Sequence, residues 1–491
     1  MTTLHPPALE GTSLVREDLF IDGAWVPASD GARLEVTDPA TGEVLARVAC
    51  ATAEDTARAI EAASRALPGW AATPAPERSA VLRRWHTLIL ENVGELARIL
   101  TAEQGKPLAE AEGEIRYGAT FIEWYAEEAK RLYGETIPTN ARGRRLMTLR
   151  QAIGVTAAIT PWNFPMAMIA RKVGPALAAG CPMILKPASE TPLSALALAE
   201  LGRQAGIPAG VLSVVHGEPT VVGAALTASP VVRALSFTGS TDVGKLLMRQ
   251  CADTVKRVAL ELGGNAPLLV FDDADLDRAV AGAMASKFRN AGQTCVCANR
   301  ILVQSGIHDA FVERFTAEVA ALAVGNGFDP ASQQGPLIDE GAVEKVQRHV
   351  QDAVDGGATV AVGGGRHALG GTFFEPTVVV GAKAGMLVAR EETFGPVAAV
   401  FRFETEAEAV ALANDTESGL AAYFFTSSLG RTFRVGEALE YGVVGINTGL
   451  ISYEGAPFGG VKESGLGREG SLHGMDEFVE LKYLCLDGID D

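Results

Sequence analysis

From Gly154 onward the chain alternates short apolar runs with stretches of helical periodicity. The runs are Val155-Thr156-Ala157-Ala158-Ile159, Met183-Ile184-Leu185, Val211-Leu212-Ser213-Val214-Val215 and Ala234-Leu235-Ser236-Phe237. Such a rhythm is the mark of βαβ units around a parallel sheet, and it restricts the chain to an α/β fold. A second block of the same kind runs from about Ala266 to Gly459, with Val378-Val379-Val380 and Val397-Ala398-Ala399-Val400-Phe401 as its strands. At 491 residues the chain exceeds a single small core and two or three domains are expected, two of them the α/β blocks. No internal repeat or low-complexity segment interrupts them.

The first 150 residues read differently. Phe20 to Val26 places Asp22-Gly23 between apolar flanks, a hairpin signal. A helix is expected from a capping-type Thr52-x-x-Asp55 to Ala66, stopped by Pro68-Gly69. A second should start near Pro76, carry Leu82, Trp85, Ile89 and Leu90 on one side, and end at Gly105-Lys106-Pro107. A third runs from about Leu108 to Leu132, with Trp124 and Tyr125 as packing residues. Gly134 to Arg150, with Arg142-Gly143-Arg144-Arg145 at its turn, is expected to form a hairpin arm. That arm and the C-terminal strand Phe478 to Leu484 could pair across a subunit boundary.

Charge and cysteine content narrow the partners. A net charge of -18 argues against a nucleic-acid partner, which calls for a basic face. Six cysteines in a chain of this length make no disulfide scaffold and fit a reducing compartment. The N-terminal stretch Met1 to Pro7 shows no basic region followed by an apolar core, and no apolar run is long enough to span a membrane. A soluble, cytoplasmic protein is expected.

The chemistry is expected between Ser286 and Arg300, centred on Cys295. A lone cysteine is usually a small buried hydrophobe. Here Gly292-Gln293-Thr294 precedes it in a polar segment, with Arg289 ahead and Arg300 behind. Nearby positive charge lowers a thiol pKa and raises the fraction of thiolate, so Cys295 is read as a nucleophile. The competing reading, Cys295 and Cys297 as half of a structural zinc site, needs two further ligands at metal-binding spacing. Cys50, Cys181, Cys251 and Cys485 are scattered singly, and no metal is expected.

Parallel strands that end in glycine- or proline-bearing loops are where α/β folds bind nucleotides. The Gly-x-Gly-x-x-Gly fingerprint follows none of these strands. Instead Thr238-Gly239-Ser240-Thr241 offers a glycine turn at a helix start, suited to a phosphate but also common as a plain cap. Lys186 and Ser189 stand at another strand end, suited to ribose or phosphate, or simply forming a turn. Thr160-Pro161-Trp162-Asn163-Phe164-Pro165 puts an amide at a helix entrance. Glu261-Leu262-Gly263-Gly264 places a carboxylate beside two glycines, and Glu391-Glu392-Thr393-Phe394-Gly395 places another beside an aromatic ring. Each taken singly reads equally well as a cap, a turn or a solvated charge.

Together, in this order around Gly292-Gln293-Thr294-Cys295, the segments resemble the aldehyde dehydrogenase superfamily over nearly the whole chain. The resemblance implies a Rossmann-type NAD(P)-binding domain (1–132 and 153–263), an α/β catalytic domain (264–466) and a β-hairpin oligomerisation arm (133–152 and 467–491). It implies Cys295 as nucleophile, the Asn163 amide and the Cys295 N–H as oxyanion donors, and Glu261 as the base for the deacylating water. Lys172 would support proton relay. Trp162, Asn163, Lys186, Ser189, Gly239, Ser240 and Leu262 would contact the cofactor, with Glu392 and Phe394 on the nicotinamide ribose and ring.

Arg171, Arg289 and Ser452, with the segment Ala456-Pro457-Phe458-Gly459-Gly460, look like the succinate-semialdehyde dehydrogenase branch. There two arginines and a serine hold the substrate carboxylate, a task suited to the guanidinium fork. The branch commonly follows that serine with a smaller polar residue, whereas Tyr453 stands here, so glutarate semialdehyde remains the alternative substrate. Serine at 189, where NAD-using relatives carry glutamate, removes repulsion of a 2′-phosphate. NADP is therefore expected, with NAD possible. Cys297 is shared with the branch, where it pairs reversibly with the nucleophile in some members. A homodimer or homotetramer is implied. Glu261 disfavours a CoA-acylating relative, and Cys295, Asn163 and Glu261 together disfavour a non-catalytic nucleotide binder.

Overall fold

The computed structural model describes residues 7–489; positions 1–6, on which the reading of the N-terminus rests, lie outside the described residues. Two large sheets carry the chain. In the first, the strands Leu212–Val214, Met183–Lys186, Val155–Ile159, Val232–Thr238 and Arg257–Glu261 lie side by side in that order, all parallel. The Leu19–Ile21 strand and its hairpin partner Ala24–Val26 extend one edge antiparallel, and Gly465–Leu466 closes the other. That last strand comes from within the span expected for the catalytic domain. Asp22 and Gly23 both take positive φ (53° and 76°), the two-residue turn that matches strand twist.

The second sheet orders Thr359–Val362, Thr377–Val380, Val397–Phe403, Ala298–Gln304, Ala266–Val270, Ala421–Phe425 and Val443–Ile446. Only the Thr359–Val362 strand is antiparallel to its neighbour. The inner strands of both sheets, such as Met183–Lys186 and Ala266–Val270, are buried on their two faces, as helix-covered parallel sheets require.

Three helical expectations are corrected. The first helix runs Ala53–Ala72, through Pro68 rather than stopping there. Trp70 draws the last turn into the core, where its indole N–H donates to the Leu177 carbonyl at 3.1 Å. The expected second helix is two, Ala75–Glu91 and Val93–Gln104. At the break, the Asn92 side-chain amide takes the Leu88 carbonyl at 2.7 Å, competing with the helix ladder. Leu82, Trp85 and Ile89 share the buried stripe, while Leu90 falls one position off it and is exposed.

The arm strands Thr136–Ile137 and Arg145–Ala152 pair as expected, and the C-terminal strand Val479–Leu486 pairs with Arg145–Ala152 in register over eight residues of the same chain. The pairing between arm and C-terminal strand is therefore intramolecular. That ladder satisfies the backbone groups on one side of the Val479–Leu486 strand, which lies at the rim of a three-stranded sheet.

Two helix N-termini near the first sheet are sealed by buried carboxylates. Glu114 accepts the Met166 and Ala167 N–H groups (2.9 and 3.2 Å) at the start of Pro165–Ala179. Glu103 accepts those of Leu193 and Ser194 (2.7 and 2.8 Å) at the start of Pro192–Gln204. The Thr241–Ala252 helix is capped only by its own Ser240. Its positive end can attract an anion.

Candidate active site

Asn290, Ala291 and Gly292 take positive φ in succession (51°, 54° and 73°), reversing the chain between the helix Leu276–Lys287 and the strand Ala298–Gln304. A Cβ at Gly292 would lie 2.1 Å from the Gly395 carbonyl oxygen, so the turn needs glycine. Buried Gln293 pins it: its Nε2 donates to the Asn290 carbonyl (3.2 Å) and its Oε1 accepts from the Ile338 N–H (2.9 Å). Cys295 emerges half-buried from this turn, as a wall common to two cavities.

One cavity, of about 350 Å³, is bounded by Arg171, Arg289 and Ser452 as well as Tyr117, Phe164 and Phe458. The two arginines differ. Arg171 is buried, donates to the Tyr117 hydroxyl, stands 3.7 Å from Glu469 and lies over the Phe458 ring at 4.3 Å. Burial alone would lower its pKa, but Tyr117 and Glu469 hold it above the usual range. Arg289 is half-buried against the Phe164 ring at 5.3 Å. Tyr453 is outside this lining and 59% exposed. Glu110, Glu114 and Tyr117 form one stripe of the Leu108–Glu128 helix along the cavity. Their i, i+4, i+7 spacing was the available sequence signal, and the reading of that helix as packing missed it.

The other cavity, of about 420 Å³, opens where the strand order of the first sheet reverses, between Val155–Ile159 and Val232–Thr238. That is the place where doubly wound sheets take nucleotides. Trp162, Asn163, Gly239, Ser240, Leu262, Glu392 and Phe394 all line it. The Trp162 and Phe394 rings meet edge to face at 5.5 Å. Glu392 accepts the Gly264 N–H at 3.1 Å, and burial pushes its carboxyl up to about 7. Lys345, missed in the sequence, adds a cation to the wall. An apolar slot with aromatic edges, a carboxylate acceptor and an open helix N-terminus fits a nicotinamide nucleotide.

Lys186 and Ser189 do not line either cavity. They sit at the end of the neighbouring strand, where the Lys186 ammonium donates to the Pro187 carbonyl at 3.0 Å and burial lowers its pKa to about 8.

Glu261, at the end of its strand, also lines neither cavity. It is buried in a charged cluster with Lys172, Arg171, Arg468 and Glu469, and its Oε2 has no hydrogen-bond partner among the described residues. Burial and then Glu469 raise its pKa well above the ordinary carboxylate range. Lys172 donates to Ser236 Oγ at 3.0 Å and to Glu469 Oε1 at 2.5 Å. Glu469 had no sequence signal, because its partners lie almost 300 residues away.

Asn163 spends one side-chain N–H on the Gln293 carbonyl at 3.0 Å, leaving its second free for a ligand oxygen near Cys295. The expected thiol activation by Arg289 and Arg300 is corrected. Burial, then Glu392, pushes the Cys295 thiol up to about 12, and Arg171 is the cation that draws it back. Arg300 is buried elsewhere and spends its guanidinium on the carbonyls of Asn265, Leu412 and Ala413. Burial thus favours the thiol form of Cys295, and its attack calls for a base. Cys297 is buried, and its thiol donates to the Lys287 carbonyl at 3.5 Å. Among the described residues no group of three or more His, Cys, Asp or Glu side chains is placed to hold a metal.

Residues 25–484 match the model of the Aldehyde dehydrogenase family. The chain is 60% identical to the glutarate-semialdehyde dehydrogenase of Pseudomonas aeruginosa, covering 98% of this chain and 100% of that one. It is 59% identical to the NADP(+) succinate-semialdehyde dehydrogenase of Escherichia coli, covering 97% and 99%. The crystal structure of a succinate-semialdehyde dehydrogenase from Burkholderia pseudomallei superposes with a TM-score of 0.96 at 60% identity, covering 97% of this chain and 99% of that one.

Proposed function

The chain belongs to the aldehyde dehydrogenase family, and from that premise we propose that it oxidises succinate semialdehyde to succinate with NADP, through a thioester on Cys295. The observation that carries this reading is the position of Cys295, between a cavity with two arginines and a serine and a cavity at the switch point of a parallel sheet.

In the Arg289 cavity the substrate carboxylate pairs with Arg289 and Arg171 and accepts from Ser452, which turns the aldehyde carbon toward Cys295. The thiol loses its proton to a nearby base and its sulfur bonds to that carbon. The carbonyl electron pair moves to oxygen, where the Asn163 amide and the Cys295 N–H donate to it. Trp162, Asn163, Glu392 and Phe394 would hold NADP, which would supply the acceptor for the hydride of the thiohemiacetal carbon. Glu261 then takes a proton from water as water attacks the thioester, and succinate leaves with Cys295 restored. Burial and Glu469 raise the Glu261 pKa, which makes its carboxylate a stronger base than an ordinary one. Lys172 and Glu469, hydrogen-bonded to each other, set the charge around it.

NADP is favoured over NAD by Lys186 and by serine at 189. A second reading, glutarate semialdehyde, is supported by the name of a relative as similar as the succinate-semialdehyde enzymes. We assign residues 1–132 and 153–263 to cofactor binding, 264–466 to catalysis, and 133–152 with 467–491 to an arm that builds a homodimer or homotetramer. Leu481 and Tyr483 on that arm are exposed, as an unfilled interface would have them. No helix is long and apolar enough to cross a membrane among the described residues, and the six free cysteines suit the cytoplasm. A peroxide-driven disulfide between Cys295 and Cys297 would lower the mass by two hydrogens and vanish in Cys297→Ala.

The experiment compares NADPH and NADH formation with succinate semialdehyde, glutarate semialdehyde and butyraldehyde at equal concentration. Preference for succinate semialdehyde with NADP is the expected result. Preference for glutarate semialdehyde selects the second reading. Equal rates with butyraldehyde would remove the arginines from substrate recognition while leaving the thiol chemistry intact.

A further inference from the structure

Lys106 is fully buried, an expensive place for an ammonium unless its partners are exact. It follows the Val93–Gln104 helix in Gly105-Lys106-Pro107, where sequence suggested only a helix stop. Its Nζ donates to Glu114 Oε2 at 2.6 Å and to the Asn163 main-chain carbonyl at 2.8 Å, and lies 3.9 Å from the centre of the Phe164 ring. The same Asn163 carbonyl accepts from Asn290 Nδ2 at 3.0 Å. Asn290 Nδ2 also donates to the Gln293 carbonyl at 3.3 Å, and that carbonyl is the acceptor for the Asn163 side chain. Glu114 gives its other oxygen to the N–H groups of the helix that follows Asn163. The Lys106 ammonium thus anchors the Asn163 carbonyl, Asn290 ties that same carbonyl to the turn of Cys295, and Glu114 ties the ammonium to the helix behind the loop. Burial pulls the Lys106 pKa down, and Glu114 opposes it.

We propose that Lys106 is a positioning residue for acylation: held by Glu114, it grips the Asn163 carbonyl and fixes the Asn163 amide where the thiohemiacetal oxygen forms. Lys106 transfers no proton in this step. The inference rests on the reading of Asn163 as an oxyanion donor.

The test follows the first turnover of NADPH formation with succinate semialdehyde in the full chain. K106M is expected to slow it by about 10- to 100-fold, the scale of a misplaced oxyanion donor. NADP affinity and the alkylation rate of Cys295 by iodoacetamide should not change, because neither builds an oxyanion. The K106M/N163A double variant should be no slower than N163A, since both changes remove one function. Added methylammonium should recover part of the rate in K106A. An unchanged first turnover in K106M, or a double variant slower than N163A by the full K106M factor, overturns the proposal. If K106M does not fold, E114Q keeps an acceptor for the helix N–H groups while removing the charge on Lys106's partner. It should slow the same step several-fold and in the same non-additive way with N163A, and an unchanged rate there overturns the proposal as well. A native chain that alkylates at Cys295 yet reduces NADP with none of the aldehydes would instead sink the dehydrogenase reading, a result distinct from selective slowing in the variant.

Discussion

The cavity on the Arg289 side of Cys295 takes its polar groups from long side chains, chiefly on the Leu108–Glu128 and Pro165–Ala179 helices, whereas the cavity on the Glu392 side takes them from loops and a helix N-terminus at strand ends. The first must fix flexible side chains before they can discriminate, and it does so by burying them in pairs: Arg171 with Glu469 and Tyr117, Lys106 with Glu114. The second relies on backbone, which the sheet has already fixed. Gly264 shows the tolerance involved, since a Cβ there would sit 2.4 Å from the Cys295 carbonyl oxygen. Substitutions on the first side are therefore expected to couple specificity to stability, and those on the second to act on cofactor binding alone.

The largest effect should separate the two sides at their shared wall. Cys295→Ser is expected to abolish NADPH formation while NADP still binds, as read by fluorescence titration. Loss of binding as well would mean that the cavities are not independent.

Next comes Arg171→Gln, which leaves Glu469 with only Lys172 as a buried partner. Breaking a buried pair costs about 3 kcal/mol or more, so denaturant unfolding should shift and activity should fall with every aldehyde. An undisturbed unfolding midpoint would show that Arg171 is not part of the frame.

Arg289→Gln should be gentler and more selective. A lost charge-assisted hydrogen bond is worth about 10- to 100-fold in kcat/KM, here for succinate semialdehyde and not for butyraldehyde. An equal loss with both aldehydes would break the distinction between the arginines.

The smallest effect concerns pH on the cofactor side. Glu392 has its carboxyl raised to about 7 by burial, and the ionised form is the better acceptor for ribose hydroxyls. Affinity for NAD should therefore rise as pH climbs from about 6 to about 8, and Glu392→Gln should flatten that dependence. A slope unchanged in the variant would assign the titration to another group.

Much of this was legible in the chain because it is local. The Asp22-Gly23 hairpin, the Thr52 and Asp55 capping box, and the buried strands all follow from contacts a few residues apart. The strand-end segments around Cys295 also stood out, and the structure gathers Trp162, Asn163, Gly239, Ser240, Leu262, Glu392 and Phe394 into one cavity. The split of the second helix at Asn92 and the passage of the first through Pro68 were less legible. There a side-chain amide in one case and a distant packing site in the other outweighed local propensity.

By itself the sequence determined the α/β class, the strand order's raw material and the identity of the thiol at the centre. Only the tertiary structure decided the electrical state of the site. Whether Cys295 is thiol or thiolate depends on burial and on Glu392 and Arg171, not on the arginines nearest in sequence. Lys172 meets Glu469 across 297 residues, and Lys106 meets the Asn163 carbonyl across 57. Charge interactions scale with distance in space and with exclusion of water, and neither quantity exists until the chain has folded.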